Sequence, residues 1–286
     1  MNTYTDGKLT FRKSKDGSFF SVRATEKNVR IADIPRSYMG LPVTCIEEDA
    51  FSGCGRLTVI SIPESITDIG LDAFSDCRSV GEVHIASISA WCSVTLWNEG
   101  SSPFAFSASA ALIINGETVT EAKIPDGITE IKSYAFCGCK SIERVILPES
   151  VTSVGSEAFF SCSSLTSINI PDGVSYIGEM AFCECEALGE ISLPDKVTYI
   201  RDLTFCGCTS LTSESIADTV TSIGNRAFFH CTALKEIFLP SGLLHIGNQA
   251  FAECTSLESI EIPNTVTSLG IEAFSGCTRV RRIRHT

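Results

Sequence analysis

The chain has 286 residues, 44% of them hydrophobic, with 22 basic and 34 acidic side chains for a formal charge of −12. That acidic balance lacks the basic footprint nucleic acid requires and is repelled by anionic membrane surfaces. No stretch reaches the roughly 18 consecutive apolar residues of a membrane-spanning helix.

The N-terminus, MNTYTDGKLTFRKSKDG, is polar and has no apolar h-region. It therefore reads as lacking a secretory signal, which points to the cytoplasm. Residues 1–34 hold two alternating runs on either side of Asp16-Gly17. Asp-Gly between such runs is a hairpin signal. They are expected to form a β-hairpin cap over the exposed apolar face of the next segment, as repeat arrays require.

From residue 35 to 286 the chain repeats. Pro148–Ile170 shows the unit: P-x-x-V-x-x-I-G-x-x-A-F-x-x-C-x-x-L-x-x-I-x-I, 23 residues long. Phe recurs at 51, 74, 136, 159, 182, 205, 228, 251 and 274, each followed three residues later by Cys. A fixed period of this length means a solenoid. Two places break it. The first coil carries five extra residues in a loop with Gly40 and Pro42. A larger insert, about 86–124, holds Trp91, Trp97, Ser102-Pro103-Phe104 and a second hairpin signal at Asn115-Gly116. Its plain reading is structural, with the aromatics packed on coil ends. Insertions in repeat proteins also fall on binding faces, which makes Trp97 a candidate contact residue.

Within a coil, L-x-x-I-x-I alternates and predicts a short strand that the following Pro ends. V-x-x-I-G predicts a second extended piece, with Gly at a corner where a positive φ is allowed. Glu47, Lys132 and Arg201 stand at that Gly position in three coils, so the corner is expected to tolerate a side chain. A-F-x-x-C reads as a helical turn with Phe as the main apolar wedge. One coil departs from the pattern. Glu214 sits where an inward Ile or Val belongs. An inward carboxylate is costly unless paired or neutral, so a bulge turning it outward is expected. The chain ends RVRRIRHT, where Arg279, Arg281, Arg282 and Arg284 would guard the final edge. These basic residues against an acidic body leave a weak end-to-end dimer as the alternative to a monomer.

The motif V-T-x-I-G-x-x-A-F-x-x-C-x-x-L-x-x-I-x-I-P resembles the BspA-like, or Treponema-type, leucine-rich repeat proteins. The resemblance covers about residues 35 to 286. It implies a curved solenoid, mostly bacterial and often on cell surfaces, acting in adhesion or protein binding. The fold expected is an α/β leucine-rich repeat solenoid of about nine 23-residue coils with short parallel strands on the concave face. Localisation then has two readings, cytoplasmic from the N-terminus and cell surface from the resemblance.

Nine of the fourteen cysteines occupy one repeat position. Cys there is a small buried hydrophobe. Neighbouring coils would hold parallel Cβ atoms about 4.8 Å apart, beyond disulfide range, so free thiols are expected. Three C-x-C pairs, 137/139, 183/185 and 206/208, raise a zinc reading, but that spacing suits a tetrahedral site poorly. No metal or cofactor is expected. The four histidines, 84, 230, 245 and 285, have no catalytic spacing, and no enzyme is expected.

Function then falls to the outward positions of the strands. They are small and hydroxyl-rich in the middle of the chain and acidic later, around Glu190, Glu236 and Glu261, with one exposed aromatic, Phe238. Aromatics are the usual anchors of interfaces. The expected partner is a protein, and the expected function is a non-catalytic binding scaffold. An intracellular interaction module is the alternative, and a thiol-based metal protein is a third reading.

Overall fold

The computed structural model describes residues 3–280 and the backbone of Arg282–His285, without the side chains of 213–215. The side chains of Glu214, Arg281, Arg282 and Arg284 lie outside the described residues. Two compact units divide the chain: 1–120 with 132–142, and 121–131 with 143–286.

Each coil has three faces. On the strand face the alternating run pairs in parallel with its neighbours. In the first unit Ile31–Asp33, Val59–Ile62, Glu82–Ile85 and Ala111–Ile114 form one ladder. In the second, Glu121–Lys123, Arg144–Ile146 and Ser167–Ile168 form another. Inward residues such as Ile60, Val83 and Val145 are buried.

The corner face is a second parallel ladder, two residues wide, at V-x-x-I-G. In the first unit Asp68–Ile69 lies between Leu41–Ile46 and Thr95–Leu96. The corner Gly donates back to the Ile of the preceding coil: Gly70 to Ile46 at 2.9 Å, Gly178 to Val154 at 2.9 Å, Gly247 to Ile223 at 2.8 Å. Threonines at V-T reinforce this by side-chain donation to the same earlier coil, Thr152 to the Thr129 carbonyl at 3.1 Å and Thr221 to Thr198 at 3.3 Å. The corner glycines do not take a positive φ, contrary to expectation. They are required by proximity. A Cβ on Gly178 would lie 2.3 Å from the Ser156 nitrogen, and one on Gly247 would lie 2.5 Å from that of Asn225.

The turn face corrects a second expectation. A-F-x-x-C is not helical. It is a pair of β-turns, each with a left-handed third residue, the type II signature. In one coil Ala73 donates to Gly70 and Cys77 to Phe74, with Asp72 at φ 52 and Asp76 at φ 60. The same two positions are left-handed at Glu157 and Ser161, Met180 and Glu184, and Arg226 and His230. This geometry leaves three N–H groups per coil facing forward, and the next coil accepts them. Asp49, Phe51 and Gly53 donate to the carbonyls of Leu71, Ala73 and Ser75 at 3.0, 2.7 and 2.7 Å. Glu157, Phe159 and Ser161 donate to Glu179, Ala181 and Cys183 at 2.9, 2.9 and 2.7 Å. Among the described residues only Ile88–Ser93 and Glu99–Ser101 are helical, so the fold is a β-solenoid rather than α/β.

The core is a file of stacked rings. In the second unit Phe159, Phe182, Phe205, Phe228, Phe251 and Phe274 follow at centroid spacings of 5.6, 5.7, 5.3, 5.3 and 5.5 Å. Such offset pairs add roughly 0.5–1.5 kcal/mol each beyond burial. The Cys three residues on points its thiol at the Phe carbonyl of the preceding coil: Cys77 to Phe51, Cys185 to Phe159 and Cys208 to Phe182, at 3.1, 3.1 and 3.2 Å.

The count of nine coils falls short. Phe20–Ala24 and Ile31–Asp33 already join the corner and strand ladders. The insert supplies a further coil, since Thr95–Leu96 and Ala111–Ile114 join both ladders too. The two hairpin expectations hold. Leu9–Lys13 pairs antiparallel with Phe20–Ala24. Ile114 pairs with Glu117 across Asn115 at φ 53 and Gly116 at φ 80, a type I′ turn.

The second unit contains a seam. Corner strands Tyr176–Ile177 and Tyr199–Ile200 belong to separate ladders, and on the strand face 190–192 pairs with nothing. Arg201 stands at this break in the position of the corner Gly. Its guanidinium lies 4.5 Å from the Tyr176 ring centre and 5.2 Å from that of Tyr199. A side chain is thus accepted at this corner, as it is at Glu47, whose N–H donates to the Val22 carbonyl at 3.1 Å within an unbroken ladder. Beyond the seam Ser213–Ser215 pairs with Glu236–Phe238 without a register shift, so the bulge expected at Glu214 is absent from the backbone.

Gly247→Ala is expected to destabilise the protein by about 1–3 kcal/mol through overpacking. Gly189→Ala, with open space around its Cβ, should change it by less than about 0.5 kcal/mol. Urea unfolding of the two variants measures the difference. Equal effects would refute the close-approach account of the corner.

Candidate functional site

In the first unit the insert completes the turn ladder with side chains. The Trp91 indole N–H donates to the Ala135 carbonyl at 2.7 Å, and the Ser102 hydroxyl donates to Cys137 at 2.7 Å. Those carbonyls occupy the repeat positions that elsewhere accept backbone N–H groups, as Ala181 and Cys183 do. Trp91 is buried and meets the Phe104 ring edge-on at 5.9 Å. Lys132, at a corner Gly position, donates to the Ser93 carbonyl at 2.6 Å. Trp97 is left outside this arrangement, 60% exposed.

In the second unit the strand face opens a groove of about 640 Å³. It lies where the pair Ser213–Ser215/Glu236–Phe238 ends and the pair Ser259–Ile262/Arg282–His285 begins. Glu236, Phe238, Ser259, Glu261 and Asn264 line it. Alternation places Ile237 inward and turns Phe238 out, 66% exposed. Glu261 is the register partner of Arg284. Three of the five candidate contact residues therefore meet in one place. Glu190 is exposed on a coil outside the groove lining, and Trp97 belongs to the other unit. Ser241 and Asn264, one period apart, also line the groove. Strand alternation does not reach them, because they follow the Pro that ends each strand.

The thiols do not gather into a four-ligand site. Cys185 and Cys208 are aimed at Phe carbonyls, while Cys183 and Cys206 stand two residues before them on adjacent coils. None of the fourteen cysteines is in a disulfide. Burial pushes the Cys77 and Cys92 thiols up to about 12 and Cys45 up to about 11. His84 is hydrogen-bonded to Glu82 at 2.7 Å on the strand face.

The sequence pattern of the BspA type leucine rich repeat region matches in six copies, over residues 32–95, 114–231 and 199–286. The chain belongs to the BspA-type leucine-rich repeat family.

Among solved structures, a leucine rich cell surface protein from Faecalibacterium prausnitzii is 27% identical, with a TM-score of 0.53 over 100% of this chain and 95% of that one. A leucine-rich repeat protein from Bacteroides ovatus is 25% identical, with a TM-score of 0.61 over 99% and 70%. The pneumococcal vaccine antigen PcpA, 16% identical with a TM-score of 0.53 over 94% and 93%, shares the fold. No curated protein matches the sequence. The BspA-type pattern accounts for the Phe file, the Cys ladder and the corners. Phe238 falls at an x position of the repeat, Trp97 lies outside the matched residues, and no described helix is long and apolar enough to cross a membrane.

Two outcomes are expected. Trp91→Phe leaves the Ala135 carbonyl without its donor and should cost about 1–3 kcal/mol in urea unfolding. Native thiols whose values lie above the ordinary 9.0 give a stability term that is complete below that pH and is lost as pH rises toward 12. Unfolding free energy at fixed ionic strength should therefore fall from about pH 9 upward. A flat profile there would mean the thiols are not buried as described.

Proposed function

We propose that the protein is a non-catalytic protein-binding scaffold whose contact surface is the strand-face groove at Phe238. The observation that carries this is a large aromatic, 66% exposed, held on a rigid strand inside a 640 Å³ groove. Aromatic anchors in pockets dominate interface energetics. The acidic Glu236 and Glu261 form the polar surround, and Trp97 offers a separate anchor on the other unit. Likeness to the Faecalibacterium protein, a cell surface protein by name, supports display at a bacterial surface and a role in adhesion or host contact. One observation favours the alternative of an intracellular interaction module: fourteen cysteines with no disulfide among them suit a reducing compartment.

Protease shaving of intact source cells separates the two. Peptides released from whole cells support surface display; peptides seen only after lysis leave the intracellular module. Phe238→Ser should leave unfolding within about 0.5 kcal/mol of the parent. It should also weaken binding to a cross-linked and identified partner by roughly tenfold or more. Unchanged affinity would remove the groove from the interface.

A further inference from the structure

We propose that Cys183 and Cys206 are a thiol–disulfide modification site that closes a covalent bridge across the seam in the second unit. They occupy the same repeat position on adjacent coils, between Phe and the ladder Cys. The coils are joined at this point, because the N–H of Glu184, next to Cys183, donates to the Cys206 carbonyl at 2.7 Å. The two thiols are neighbours across the coils, near enough that the ionisation of one affects the other. Neither is directed at a Phe carbonyl, which holds the ladder thiols in the interior. Cys206 is half-buried, within reach of solvent.

The location matters as much as the proximity. These are the two coils between which both the corner and the strand ladders are interrupted. They are joined by the turn face, Met180 to Asp202, Phe182 to Thr204 and Glu184 to Cys206, by two backbone bonds onto Glu186 and Gly189, by the Cys208 thiol on the Phe182 carbonyl, and by the Phe182–Phe205 stack and the Arg201 guanidinium over Tyr176. A disulfide needs Cβ atoms about 3.8 Å apart, and regular coils hold them about 4.8 Å apart. Where all three ladders are continuous they resist that shift of roughly 1 Å. At the seam one does.

The oxidant is a low-molecular-weight disulfide. Cys206 is the half-buried thiol of the pair, and its neighbour Cys183 favours its ionised form, so Cys206 gives up its proton first. Its thiolate attacks one sulfur of the disulfide, forms a mixed disulfide and expels one thiolate. Cys183 then loses its proton and attacks the Cys206 Sγ. The Sγ–Sγ bond forms and the second thiolate leaves. Two protons and two electrons pass to the oxidant, which ends as two thiols.

The test treats the folded full-length protein with glutathione disulfide and maps it without reduction. The expected product has lost two hydrogens, carries one link between Cys183 and Cys206, and is restored by a dithiol. Its unfolding midpoint should rise by about 5 °C or more, since the bridge closes a loop of one repeat. The Cys183→Ser variant should instead keep glutathione on Cys206. A link to a ladder cysteine, a lasting glutathione adduct on the unsubstituted protein, or no reaction under conditions that modify the unfolded chain would overturn the proposal. Mapping of the unsubstituted protein decides the matter without relying on a variant that folds.

Discussion

A coil of this solenoid cannot satisfy its own backbone. The paired turns that carry A-F-x-x-C leave three N–H groups per coil pointing forward, and an unpaired buried amide costs about 1–3 kcal/mol. Only the carbonyls of the next coil, set at the same spacing, can take them. The other invariants stem from that demand. Two residues per coil turn left-handed so that alternate amides face outward. The corner Gly lets the backbones approach closely enough to bond. The Phe rings fill the space behind the turns at a spacing, 5.3–5.7 Å, set by the same coil separation. The Cys adds a donor too small to disturb the file.

The insert shows how strict the demand is. Its coil has no A-F-x-x-C, yet the acceptors at Ala135 and Cys137 are still met, by an indole N–H and a hydroxyl. The N-terminal segment does the same for the first full coil, where Ala24 donates to the Ala50 carbonyl and the Lys27 ammonium to Ser52. At the seam the corner position carries Arg201, and its guanidinium stacks over the Tyr176 and Tyr199 rings.

The period, the inward Phe and Cys, the strands and both hairpins were legible in the sequence, because each depends on residue type at fixed spacing. The left-handed turn positions were not. Asp72, Glu157, Met180 and Arg226 share no chemistry, since backbone bonding to the next coil imposes the conformation on whatever stands there. The corner Gly was visible, but its reason was not, because the clash it avoids is with a residue 22 positions earlier, as Gly178 shows with Ser156. The insert hid its coil by using side chains for backbone donors. Of the candidate site, the outward setting of Phe238 followed from alternation. The groove around it did not, since it depends on where a ladder stops.

The hydrogen bonds between coils run in opposite senses on two faces. Turn-face amides donate forward, as Phe159 does to Ala181, and corner amides donate backward, as Gly178 does to Val154. In an α-helix every peptide dipole points one way and the sum places partial charges at the ends. Here the two rows oppose each other along the stacking direction within each unit. The two rows therefore offset each other instead of adding as they do in a helix. The long-range attraction or repulsion felt by an approaching molecule then comes chiefly from the 34 acidic and 22 basic residues and where the repeat sets them.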